Sequence, residues 1–179
     1  LIRFDLSDNN YKFHKEQWFS FNTLANNSKN NIYKGSFADA SNELDSLLHK
    51  TIKTQGLADV PLGVFLSGGI DSSLITAIMQ SQSDSPIETF TMGYENTDYD
   101  ESAQARKYSK YLGTKHNEVI ITSEDALSVV PNLSKIFDEP FSDASQIPML
   151  LVSTLAKTKV KVALSGDCLL YTSPSPRDS

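Results

Sequence analysis

Ser67-Gly68-Gly69-Ile70-Asp71-Ser72-Ser73 gathers two glycines, three hydroxyls and one carboxylate within a single short stretch. An apolar run, Val60–Leu66, precedes it, and a second, Leu74–Met79, follows it. That order predicts a strand, a glycine loop and a helix. Adjacent glycines let the backbone approach a ligand that a Cβ would exclude. The hydroxyls of Ser67, Ser72 and Ser73, with the free N–H groups of a helix start, form a cradle for an anion. Asp71 would repel a bare phosphate, so its presence points to a bridging Mg²⁺. The stretch has neither the Gly-x-x-x-x-Gly-Lys-Ser/Thr spacing nor the lysine of a Walker A loop. The plain alternative is a Ser/Gly turn between a buried strand and a helix.

Three further segments carry polar groups after apolar runs. Met92-Gly93-Tyr94 leads into the acidic loop Glu95–Glu101. Asp138-Glu139-Pro140-Phe141-Ser142-Asp143 precedes Ser145-Gln146-Ile147-Pro148, and Leu164-Ser165-Gly166-Asp167 comes last. Each has a structural alternative. Asp100 and Glu101 suit the first turn of a helix, where carboxylates favour the dipole. Asp143 suits an N-cap. Asp138 and Glu139 read as a solvated loop, and Met92 serves equally well as a core residue. His14, His49 and His116 lack metal-ligand spacing.

The elements that must hold these groups follow from periodicity. Residues 1–35 contain two alternating stretches, Leu1–Leu6 and Tyr11–Phe21, expected to form a hairpin or a pair of connecting strands. The Asn/Ser/Lys-rich Ala25–Lys34 reads as a linker. A helix is expected from an N-cap at Ser36, with Phe37, Ala40, Leu44, Leu47, Leu48 and Thr51 on one face and a stop at Gly56. Strands are then predicted at Val60–Leu66, Glu88–Met92, Asn117–Ile121 and Val160–Leu164. Helices are predicted at Ser72–Gln82, Ser102–Leu112, Ser123 to about Ile136, and Pro148–Ala156. Such alternation implies an α/β fold: a doubly wound, mostly parallel sheet with helices on both faces. Ligands of these sheets sit at the carboxyl ends of strands. The segments after Leu66, Met92 and Leu164 all fall there.

Composition sets outer limits. The 179 residues suffice for one domain with a real core, and 39% hydrophobic with 21% charged residues is ordinary for a globular protein. A formal charge of −6 argues against a dedicated nucleic-acid or anionic-membrane surface. No run reaches the roughly 18 apolar residues of a membrane span. The start at Leu1 carries no signal-peptide pattern and no initiator Met, which predicts a chain beginning inside a longer protein. Cys168 is the only cysteine, so no internal disulfide or cysteine-based zinc cluster is expected, and a reducing, cytoplasmic setting fits.

The motifs as an ordered set, from about Gly35 to Asp167, resemble the synthetase domain of glutamine-hydrolysing asparagine synthetases. Ser67–Ser72 is similar to the Ser-Gly-Gly-x-Asp-Ser loop of enzymes that cleave ATP between the α and β phosphates. The resemblance extends to related amidotransferases encoded beside surface-polysaccharide genes and to other ATP-pyrophosphatase ligases. It implies a ligase using ATP and Mg²⁺ that adenylates the side-chain carboxylate of aspartate, then transfers ammonia, released from glutamine elsewhere in the full protein. It implies that Ser67, Gly68, Gly69, Ser72 and Ser73 hold pyrophosphate and that Asp71 contacts Mg²⁺. Leu66 and Met92 match positions contacting adenosine, Ser165 and Gly166 flank the α-phosphate, Asp167 matches the catalytic acidic position, and Asp143 is a substrate-side candidate. The expected partners are these small molecules, with no nucleic acid or membrane, and a homodimer of the full-length protein. A nucleotide-binding module without chemistry is the reading of another class.

The resemblance also divides the chain. Residues 1–34 would connect to a missing glutaminase domain, 35–167 would be a partial synthetase domain, and the full reaction would need segments beyond both ends. Cys168–Asp178 breaks the preceding pattern and resembles one reading frame of a transposase sequencing adapter, so 168–179 is expected to be an artefact.

Overall fold

The computed structural model describes residues 2–5, 12–95, 100–139, 142–143 and 145–167, without the side chains of residues 3–5 and 12. The Cys168–Asp178 tail, Tyr99 with the rest of 96–99, Pro140 and Phe141 lie outside the described residues. Two compact units divide the chain, Leu1–Asn42 and Glu43–Ser179.

In the first unit, β1 (Ile2–Asp5) pairs antiparallel with β2 (Lys12–Lys15), with Ile2 opposite Lys15 and Asp5 opposite Lys12. The expected pairing is present, though the second stretch is a strand only over Lys12–Lys15 and not as far as Phe21. The linker expected at Ala25–Lys34 is present only in part: α1 occupies Phe21–Asn30, and 31–34 lie outside it. The polar residues that suggested a loop satisfy the helix instead. The Ser20 hydroxyl accepts from the Thr23 N–H at 3.3 Å, and the Ser28 hydroxyl donates to the Leu24 carbonyl at 2.9 Å. Caps and back-bonding of this kind draw on the same residue types as turns do.

The helix α2 (Phe37–Gln55) contains the division between the units. Its start is reciprocal: Asp39 accepts from the Ser36 N–H at 2.9 Å while its own N–H donates to the Ser36 hydroxyl at 3.2 Å. The expected apolar face is shifted. Leu44 and Leu47 stay 47% and 57% exposed, and the helix packs through Ile52 and Leu48. Packing against the sheet overrides the simple helical periodicity.

The second unit is built on four strands, β3 (Leu62–Phe65), β4 (Glu88–Tyr94), β5 (Lys115–Ile121) and β6 (Val162–Leu164). All pair in parallel, in the order β5-β4-β3-β6. Pro61, which lacks an N–H, bounds β3 and leaves its carbonyl to accept from the Lys161 N–H at 2.9 Å. Between the strands run α3 (Ile70–Ser81), α4 (Ser102–Leu112), α5 (Ser123–Ile136) and α6 (Gln146–Lys157). The expected doubly wound sheet is therefore observed, with helix α3 beginning two residues earlier than periodicity indicated.

Side-chain alternation along the strands separates two cores. Val64 and Leu62 join Ile52, Ile75, Ile78 and Met79 on the face covered by α2 and α3. Phe65, Phe90 and Met92 join Val152, Leu155 and Ala156 on the face covered by α6. On the α4 side the contact surface is small and polar: Thr89, Thr91, Ser102 and Ser109 are buried with Ala105. The Thr89 and Ser109 hydroxyls both bond that of Thr114, at 3.1 and 2.7 Å, so these buried groups are satisfied.

The strand order carries the functional consequence. The chain steps from β3 out to β4 and β5, then returns through α5 and α6 to place β6 on the other side of β3. The carboxyl ends of β3 and β6 therefore flank the point where the winding reverses, the place where such sheets open a crevice. Val64 pairs with Leu164, so the loops after both strands start level.

Candidate functional site

The loop after β3 is held by its own serines. The Ser67 N–H donates to the Ser72 hydroxyl at 3.0 Å, the two hydroxyls lie 2.8 Å apart, and the Gly69 N–H donates to the Ser67 hydroxyl at 3.1 Å. Ser72 is buried, so its hydroxyl serves the loop from inside. The Ser73 hydroxyl donates to the Ile70 carbonyl at 2.9 Å. Gly69 is the N-cap of α3, with extended φ −78° and ψ 159° and no side-chain cap. The first-turn amides of Ile70, Asp71 and Ser72 thus begin a helix without an oxygen of their own to cap them, which makes this terminus attractive to an anion. Asp71 lies in this first turn and not in a loop.

Gly68 faces a neighbour that sequence reading missed. A Cβ there would lie 2.9 Å from Glu101 Cβ and 3.2 Å from both Gln104 Cβ and the Glu101 carbonyl. The close approach that requires glycine is therefore to the start of α4. The Gly68 N–H donates to a Glu101 carboxylate oxygen at 3.2 Å. A Cβ on Gly69 would meet only the Ser67 hydroxyl oxygen, at 3.2 Å.

Asp100 anchors α4. It accepts from the Ser102 N–H at 3.1 Å, the Ser102 hydroxyl at 2.9 Å and the Tyr94 N–H at 3.3 Å. The Ser102 bond is the main cause holding the Asp100 carboxyl below its ordinary range. This fastens the end of β4 to the helix start. Behind it, Arg106 donates two bonds to Glu118, at 2.6 and 3.1 Å, which hold that carboxyl below its usual range.

The loop after β6 closes onto α3. A Cβ on Gly166 would lie 2.7 Å from the Ser72 nitrogen, 2.9 Å from Ser72 Cα and 3.1 Å from the Asp71 carbonyl carbon. The Ser165 hydroxyl donates to the Asp167 carboxylate at 2.6 Å and accepts from the Asp167 N–H at 3.2 Å. The structure therefore brings Ser67–Ser73 and Ser165–Asp167 together, by parallel pairing of β3 with β6 and by the packing of Gly166 on Ser72.

Other expected residues occupy different surroundings. Leu66 is buried; its N–H donates to the Phe90 carbonyl at 2.9 Å and its carbonyl accepts from the Thr91 hydroxyl at 2.5 Å. Met92 packs against the α6-side core. Asp143 is exposed and accepts from the Ser145 N–H at 2.8 Å, a turn before α6 that holds its carboxyl below the ordinary range. Asp138 and Glu139 are exposed.

The donor set bears on which groups this end of the sheet suits. An uncapped helix start beside closely packed glycines suits a polyanion. Among the described residues no group of three or more His, Cys, Asp or Glu side chains gathers around a potential metal position. Mg²⁺ needs no such cage, because it keeps most of its waters and takes one or two carboxylates plus phosphate oxygens.

Residues 43–168 match the asparagine synthase family profile. The chain belongs to the asparagine synthase family. It is 32% identical over 142 residues to asparagine synthetase 1 (glutamine-hydrolysing) of Bacillus subtilis, covering 75% of this chain and 22% of that protein. A Methanocaldococcus jannaschii relative, named provisionally as a second glutamine-hydrolysing asparagine synthetase, is 38% identical over 122 residues, 68% of this chain and 24% of its own length. The chain thus spans about a quarter of the curated asparagine synthetases it matches. Among solved structures, the NMN synthetase of Francisella tularensis aligns over 73% of this chain and 54% of its own, at 15% identity and a TM-score of 0.46. Within the asparagine synthase family match lie both loops at the winding reversal. Among the described residues no helix is long and apolar enough to cross a membrane.

Proposed function

We propose that this chain is the nucleotide-handling part of an ATP-dependent amide ligase that makes asparagine from aspartate. The carboxylate oxygen of the aspartate side chain attacks the α-phosphorus of ATP, and the bond to pyrophosphate breaks. Ammonia, taken from glutamine elsewhere in the full protein, then attacks the activated carbonyl; AMP leaves and a proton is lost. A carboxylate is a weak nucleophile approaching a polyanion, so catalysis here is positioning and charge neutralisation.

The observation that supports this reading most is the meeting of the Gly166 backbone with the first turn of α3, at the point where the winding reverses. In the proposal, the pyrophosphate lies against the α3 start and the loop Ser67, Gly68, Gly69, with Ser72 and Ser73 contributing chiefly backbone. Ser165 and Gly166 border the α-phosphate, and Asp167 stands beside the reacting carboxylate. Met92 and the remaining lone pair of the Leu66 carbonyl bound the adenosine. Asp71 would hold Mg²⁺, which supplies charge neutralisation on the phosphates when bound. Asp143 is assigned to the substrate side. Residues 1–34 connect to a glutaminase domain, 35–167 form the partial synthetase domain, and 168–179 are adapter-derived. The setting is cytoplasmic, and the full-length protein is a homodimer.

Titration of ATP into the chain, with and without Mg²⁺, tests the reading. Binding is expected only with Mg²⁺, and Asp71→Asn is expected to weaken it at least tenfold while the thermal midpoint stays put. An affinity for ATP that ignores both Mg²⁺ and Asp71→Asn would remove Asp71 from the site.

A further inference from the structure

The side chain of Glu101 does something unusual for its position. As N-cap of α4 its side chain does not cap its own helix. Asp100 does that work, bonding the Ser102 N–H and hydroxyl. The Glu101 carboxylate instead accepts from the Gly68 N–H, far upstream in the chain, at 3.2 Å. The backbone on both sides of that bond is fixed. Gly68 is pressed so closely on Glu101 that a Cβ would stand 2.9 Å from Glu101 Cβ. Asp100 ties the start of α4 to the Tyr94 N–H at the end of β4. A helix start that is itself anchored to the sheet thus holds the loop's middle amide.

The three loop amides have acceptors of two kinds. Ser67 and Gly69 use serine hydroxyls within the β3–α3 segment itself. Only Gly68 depends on a different element. The geometry points to Glu101 as a positioning residue for the nucleotide loop: as a hydrogen-bond acceptor it holds Gly68 against α4, keeping the α3 first-turn amides open. This deepens the proposed ATP site and rests on that reading. The required property is acceptance of a hydrogen bond, not negative charge. Glutamine at this position keeps an acceptor oxygen; alanine has none.

Two measurements on the chain, in wild type, Glu101→Gln and Glu101→Ala, decide the matter. The first is amide hydrogen exchange at Gly68, followed by NMR without any ligand. Glu101→Ala should accelerate it about fivefold, the size of one net hydrogen bond, and Glu101→Gln should stay within about twofold of wild type. The second is titration with Mg²⁺ and ATP, where Glu101→Ala should bind about fivefold more weakly and Glu101→Gln should match wild type. A thermal midpoint common to all three rules out general unfolding. Unchanged Gly68 exchange in Glu101→Ala overturns the proposal. So does tighter ATP binding by both variants, which would make Glu101 a competitor for the anion. If exchange behaves as expected while wild type binds no ATP, Glu101 still holds the loop and the nucleotide reading is the one that fails.

Discussion

Gly166→Ala is the substitution that most directly tests how the two loops meet. The added methyl would sit 2.7 Å from the Ser72 nitrogen, 2.9 Å from Ser72 Cα and 3.1 Å from the Asp71 carbonyl carbon. All three are backbone atoms in the first turn of α3, so no side chain can swing aside to make room. Relief requires β6 or the helix start to shift. Overpacking of this kind costs about 1–3 kcal/mol. In a chain of this size each kcal/mol lowers the thermal midpoint by about 2–4 °C, so a fall of about 2–12 °C is expected. Gly69→Ala is the internal control. Gly69 has φ −78°, a conformation open to any residue, and its Cβ would meet only the Ser67 hydroxyl oxygen at 3.2 Å. That change should be within about 1 kcal/mol of neutral, because loss of chain entropy in the unfolded state offsets a small adjustment of Ser67. Thermal unfolding followed by circular dichroism compares the three proteins. Equal midpoints for Gly166→Ala and wild type, or an equal fall in both variants, would refute the packing of the β6 loop on α3.

Removing the anchor of α4 by Asp100→Ala deletes an acceptor for the Ser102 N–H and hydroxyl and for the Tyr94 N–H. A loss of about 0.5–2 kcal/mol in urea unfolding is expected; an unchanged midpoint would show that the cap is dispensable. A pH effect follows from His116. Its Nδ1 lies 3.1 Å from the Thr89 hydroxyl, while Nε2 is buried, 3.5 Å from Glu118, without closing a hydrogen bond. Burial pushes its pKa below the ordinary value, against the opposing pull of Glu118. The unfolded chain therefore takes up a proton first, and stability should decline as pH falls from about 6.5 toward 5. His116→Gln should flatten that slope; a slope identical to wild type would assign it to other groups.

Much of the fold was legible along the chain because each strand and helix carries its own local signal. Leu62 and Val64 alternate with Phe65, α4 ends at Gly113 in the left-handed conformation (φ 72°), and Thr122 and Asp125 form a reciprocal cap at the start of α5. Where local signals were ambiguous the reading failed. The Asn/Ser-rich stretch after Phe21 satisfies a helix as well as a loop, and α2 faces the sheet through Leu48 and Ile52 because sheet packing, not periodicity, chooses the buried stripe.

The site divides in the same way. The order of residues along the chain is enough to show that a serine- and glycine-rich loop joins a strand to a helix, and that an acidic turn follows the last strand. Those are properties of neighbouring residues. The folded arrangement determined that the two segments touch, because their meeting depends on β6 returning to the far side of β3. It also decided what the glycines are for. Gly68 yields to Glu101 of α4 and Gly166 to the backbone of Ser72, contacts between residues distant in sequence that no local pattern encodes.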